Sequence, residues 1–180
     1  MRYRLVPHPR TPPKAAAGVD VRVLRLPRGS LGLTYCLTAD LSGVLIPDQR
    51  APIRRDGLWQ HSCFEAFAGE AGAETYHEFN LSPSREWGAY RFDGYRTGMR
   101  DAEVDPPFID VIRRPDTLEL RATVSLPEAL GQLPLRLGLS AVVEEKDGTK
   151  SYWALAHTLD RPDFHQADCF TAEVPAAEGG

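Results

Sequence analysis

The chain has 180 residues, 42% hydrophobic and 26% charged, a globular balance for one domain with a full core rather than a disordered segment. Acids outnumber bases 25 to 21 with no basic block, which argues against nucleic acid as a partner, because phosphate binding needs a concentrated positive patch. No apolar run approaches the roughly 18 residues of a membrane span, and the charged N-terminus lacks an apolar signal stretch, so a cytoplasmic protein with no membrane partner is the expectation.

Residues 1–18 are expected to form an N-terminal arm, since four of the prolines fall within residues 6–17. Period-two patterns then follow one another. Val19, Val21 and Val23 alternate with polar residues, and so do Leu31, Leu33, Tyr35 and Leu37. Further on, Leu118, Leu120, Ala122 and Val124 repeat the pattern, and Leu135, Leu137, Leu139, Ala141 and Val143 carry it again. Alternation of this kind marks antiparallel strands with one buried face. Arg114-Pro115-Asp116-Thr117 and Lys146-Asp147-Gly148-Thr149 have the turn chemistry of hairpin loops between such strands.

Only Leu126–Leu133 reads as a helix, with Pro127 in its first turn and Glu128 at its positive end. The predicted fold is all-β: an antiparallel β-sandwich of jelly-roll or immunoglobulin-like type, with about ten strands and one short helix. It spans residues 19–174 as a single domain, and residues 175–180 read as a disordered tail. Three widely spaced cysteines, Cys36, Cys63 and Cys169, encode neither a disulfide framework nor a zinc knuckle. Nothing in the alternation sets an oligomeric state.

Residues 57–98 differ from the rest. Two of the three Trp and two of the five His fall there, beside Glu65, Glu78, Asn80 and Arg91. Strand phase places Phe64 and Phe79 on one face and Glu65, Glu78 and Asn80 on the other. A polar row flanked by aromatic rings suits a small-molecule or carbohydrate ligand: carboxylate and amide oxygens accept hydroxyl hydrogen bonds, and a ring stacks on the apolar side of a sugar. The segment Asp160–Phe170 is a candidate lip over that site, carrying His157 and Phe164.

This segment also resembles a known family. Trp59, the strand Ser62-Cys63-Phe64-Glu65-Ala66-Phe67, and Tyr76-His77-Glu78-Phe79-Asn80-Leu81-Ser82-Pro83 follow the order found in DOMON-like domains, which are grouped with the family 9 carbohydrate-binding modules. A late acidic hairpin, Glu144-Glu145-Lys146-Asp147-Gly148, ends at Ser151-Tyr152-Trp153 as in those domains. The resemblance covers roughly residues 20–174 and implies a non-catalytic β-sandwich that binds sugar or, in other branches, haem. By position it implies stacking by Trp59 and Trp153 and hydroxyl recognition by Glu65 and Asn80. This chain departs from the pattern at Ser62, where an acidic residue is usual, and at Glu144 and Glu145, where sugar binders favour Asn and Asp.

The resemblance leaves haem and a structural calcium open as cofactors. Haem would pair Met99 with His157 or His165, although Met99 sits in a polar loop rather than the dry slot haem needs. Calcium would fall on the late hairpin. The scattered His lack the HExxH spacing that places two metal ligands together. An enzyme is the rival reading, with Glu65 and Glu78 as an acid and base acting on a sugar-like substrate. Cys63 and His61 share a strand face about 7 Å apart, too far for a thiol–imidazole pair.

Overall fold

The computed structural model describes residues 1–176. Twelve strands run in chain order: β1 (Arg2–Pro7), β2 (Ala16–Leu26), β3 (Ser30–Ala39), β4 (Cys63–Glu70), β5 (Tyr76–Leu81), β6 (Trp87–Phe92), β7 (Arg100–Asp101), β8 (Phe108–Arg113), β9 (Thr117–Ser125), β10 (Leu135–Glu144), β11 (Lys150–Ala154) and β12 (Ala172–Val174). All pairs between strands are antiparallel, in the order β7-β6-β5-β4-β10-β11-β1-β2-β3-β9-β8, with β12 also on β10. Strand β1 joins the two layers: Arg2–Leu5 pair with β2, while Val6 and Pro7 pair with β11. Residues 2–7, grouped above with the arm, are therefore a strand that closes the sandwich.

The core lies between the layers. The alternating apolar residues of β2, β3, β9 and β10 named above are all buried there, together with Phe64 and Phe79. Tyr35 spans the core: its ring packs 5.0 Å from Phe64, and its hydroxyl donates to the Glu65 carbonyl at 2.6 Å. Both expected hairpins form. Arg114 N–H donates to the Thr117 carbonyl, and Glu145 N–H to that of Thr149, with Gly148 at φ +84° in the left-handed region that favours glycine.

Among the described residues no α-helix forms. The expected helix over 126–133 is a single 3₁₀ turn, Glu128–Leu130. Pro127, Gly131 and Pro134 leave too few residues between breakers for an α-helical ladder to propagate. Of the expected tail, Pro175 and Ala176 follow β12 as irregular chain, and the rest lies outside the described residues.

Candidate functional site

The outer face of the layer built from β4, β5, β6, β10 and β11 is the floor of a cleft of about 1410 Å³. Strand alternation sends Phe64, Ala66, Phe79 and Leu81 into the core, and so turns Glu65, Glu78 and Asn80 into the cleft. Val142, Tyr152, Tyr90 and Phe92 complete the floor. Register aligns Ser140, Glu65, Asn80 and Gly88 in one row across four strands, with Phe67, Glu78 and Tyr90 in the next. Gly88 fits its row for a steric reason: a Cβ there would lie 2.9 Å from the Tyr90 hydroxyl.

Two loops wall the cleft. In the β3–β4 connection, Gly57 at φ +72° starts a 3₁₀ turn, Leu58–Gln60, that buries Leu58 and leaves Trp59 52% exposed on the rim. The loop is pinned by the Tyr90 hydroxyl, which donates to Asp56 at 2.7 Å, and by Ser62, whose hydroxyl donates to the Leu45 carbonyl. Across from the β6–β7 turn comes the expected lip, reduced to Pro162–His165 of the β11–β12 connection. Asp163 fixes it, accepting from Arg96 Nη2 at 3.0 Å and from the Tyr95 hydroxyl at 2.6 Å.

The floor's polar groups are buried and incompletely paired. Asn80 Nδ2 donates to Glu78 Oε1 at 2.8 Å, and the Ser140 hydroxyl donates to Glu65 Oε2 at 3.0 Å. Asn80 is 1% exposed, and its Oδ1 has no hydrogen-bond partner. Burial, and then the neighbouring Glu78 charge, push the Glu65 carboxyl up to about 8, and burial pushes Glu78 up to about 7. Arg96 N–H donates to the Tyr76 hydroxyl, which is hydrogen-bonded to His165 Nδ1 at 2.8 Å. His165 Nε2 stands 3.8 Å from Glu78 Oε2, beyond direct hydrogen-bond reach. Burial and then the Arg96 charge lower His165 to about 4, so it stands neutral beside the pair.

At the other end, Ser84 donates to Glu86 Oε2 at 2.8 Å, and Arg55 Nε meets Glu86 Oε1 at 3.0 Å.

Of the residues expected from sequence, the structure brings Trp59, Glu65, Glu78 and Asn80 to one cleft. The other three lie elsewhere. Trp153 is 3% exposed in the core, opposite Ala141, whose small side chain leaves room for the indole; the neighbouring Tyr152 takes the cleft face instead. The expected pair of stacking Trp is thus not assembled. Arg91 shares the phase of Trp87 and Ala89, projects to solvent past the core edge, and stands 4.0 Å from Asp93. His157 lies outside the cleft, its Nε2 2.9 Å from the Val6 carbonyl oxygen. Sequence reasoning missed Tyr90, Arg96, Asp163 and the Ser84–Glu86–Arg55 group, whose roles depend on contacts between distant loops.

Neither cofactor fits the residues present. In the late hairpin, Glu145 accepts from the Lys14 and Ala15 N–H groups, Asp147 from Thr149 and Lys14, and Glu144 faces His61. Calcium needs six to eight oxygen ligands, and these oxygens already face donors. Among the described residues no cluster of three or more His, Cys, Asp or Glu is placed to hold a metal ion. For haem, Met99 is exposed on the rim, His157 is outside the cleft, and both nitrogens of His165 face polar groups of the protein.

No family model matches the chain, and no curated protein matches it significantly. Among solved structures, the fold is similar to that of a candidate carbohydrate-binding protein from Bacteroides uniformis ATCC 8492, at 14% identity and TM-score 0.68, covering 94% of this chain and 83% of that one. It is also similar to a family 9 carbohydrate-binding module from Caldicellulosiruptor kristjanssonii solved with glucose, at 10% identity and TM-score 0.51, covering 88% and 75%. The antiparallel β-sandwich is therefore a fold that this chain shares with a family 9 carbohydrate-binding module.

Proposed function

We propose that this chain is a non-catalytic ligand-binding domain of DOMON-like type that takes a carbohydrate or sugar-like small molecule in the cleft on the outer face of β4, β5 and β6. One observation carries the reading: Asn80 has its Oδ1 buried without a partner, while its strand register sets it beside Glu65 and its Nδ2 bonds Glu78, on a floor overlooked by an exposed indole. A pocket of that kind fixes a ligand by a few polar contacts and gains area from a ring face. Trp59 supplies the face. Asn80 and the two carboxyls accept hydroxyl hydrogen bonds, and Tyr152 replaces Trp153 as the aromatic group on the floor. The fold shared with a module solved with glucose supports the same reading.

Catalysis by Glu65 and Glu78 is the less favoured reading. Acid and base roles need two environments that push the pKa values apart, and here both carboxyls are pushed upward.

Calorimetric titration with glucose, cellobiose, N-acetylglucosamine and a uridine diphosphate sugar tests the reading. Saturable heat with one of these, lost in Asn80→Ala while the thermal melt is retained, is the expected result. An absence of heat with all four would overturn it.

A further inference from the structure

Six carboxylates line the cleft against three guanidiniums, and apart from the exposed Asp48 they fall into two sets by their partners. At the walls, Glu86 is met by Arg55 at 3.0 Å, Asp163 by Arg96 at 3.0 Å, and Asp56 by the Tyr90 hydroxyl. On the floor, Glu65 and Glu78 form no ion pair with Lys or Arg among the described residues. The Arg96 guanidinium, which also lines the cleft, is held by two bonds to Asp163. The nearest imidazole, on His165, is neutral.

Buried carboxyls without a cation are costly and are ordinarily paired. Beside them is a third acceptor, the unpartnered Oδ1 of Asn80, a residue 1% exposed, which the wall contacts do not explain. The floor thus offers an amide oxygen as an acceptor and two carboxyls that burial holds protonated while no cation faces them, and a cation bound there lets them ionise. A sugar hydroxyl brings one donor and no charge. A primary ammonium brings three donors and a positive charge, and charge-assisted bonds to carboxylate are about twice as strong as neutral ones.

We infer that the floor formed by Glu65, Glu78 and Asn80 receives a primary ammonium group, so that the preferred ligand is an amino sugar rather than a neutral one. The inference rests on the sugar-binding reading above and names its substrate class. Trp59 then covers the apolar face of the same ring, and Arg55 and Arg96 are already engaged by Glu86 and Asp163 on the walls, which leaves the floor carboxyls to meet the ammonium.

The test is calorimetric titration of the full chain near neutral pH with glucosamine, glucose and N-acetylglucosamine, three probes that differ at one ring position. Glucosamine is expected to bind about tenfold or more tightly than either neutral sugar. In Glu78→Gln the glucosamine-to-glucose affinity ratio should fall toward one. Equal affinity for glucosamine and glucose in the wild-type protein would overturn the ammonium site and leave the sugar-binding reading standing. No saturable heat from any of the three would overturn both.

Discussion

Asn80 Nδ2 donates to Glu78 Oε1 across 2.8 Å, two positions along one strand face, and this leaves the Asn80 carbonyl oxygen buried with no partner of its own. Asn80→Ala removes one buried hydrogen bond, and should cost about 1 kcal/mol in urea denaturation while removing sugar binding altogether. A stability loss several times larger would make Asn80 primarily a structural residue.

The two carboxyls give stability a defined pH dependence. Burial raises the Glu65 and Glu78 carboxyls of the unliganded fold to about 8 and 7 against an ordinary 4.5. Between those limits the folded protein retains protons that the unfolded chain has released. Their contribution to stability is therefore complete below the ordinary carboxylate range and is lost as pH rises through 7 to 8. Glu65→Gln keeps an acceptor for Ser140 and cannot ionise. It should raise stability at pH 8 by on the order of 1–3 kcal/mol and change little at pH 5, as read by thermal denaturation at the two values. Equal effects at both would place the ionisation elsewhere.

Two tryptophans expected in one site should behave in opposite ways. Trp153→Ala empties a core position that is 3% exposed, and should cost about 3–5 kcal/mol. Trp59→Ala alters a rim residue that is 52% exposed, and should cost under about 1 kcal/mol. Urea denaturation of the two variants, run alongside sugar titration, separates the roles.

Tyr35 ties the two layers through its bond to the Glu65 carbonyl, directly behind the cleft floor. Tyr35→Phe leaves a buried carbonyl with one donor fewer, and should destabilise the fold by about 1–2 kcal/mol. Weakened sugar affinity in that variant would report movement of Glu65 on its strand.

The strands and the polar row were legible in the sequence because period two is a geometric constraint: once Phe64 and Phe79 are inside, Glu65, Glu78 and Asn80 must face the other way. The same rule could not assign Tyr152 and Trp153. Adjacent aromatics face opposite sides, and this layer is covered on both, so apolarity does not say which side is the core; the small partner Ala141 decides it. Arg91 misled for a related reason, since its position at a strand end lets a core-phase side chain escape to solvent. The Arg96–Asp163 pair joins loops 67 residues apart, beyond any local pattern. The short helix failed locally, where Gly131 and Pro134 outweighed the amphipathic start.

Intrinsic fluorescence offers the most direct test that the cleft is the ligand site. Trp87 and Trp153 are 4% and 3% exposed, so Trp59 is the indole that a ligand in the cleft can shield. Titration with glucosamine and with cellobiose should give a saturable blue shift in the wild-type protein, and none in Trp59→Phe. Saturable binding by calorimetry with an emission spectrum that never moves would contradict the account and put the ligand elsewhere on the molecule.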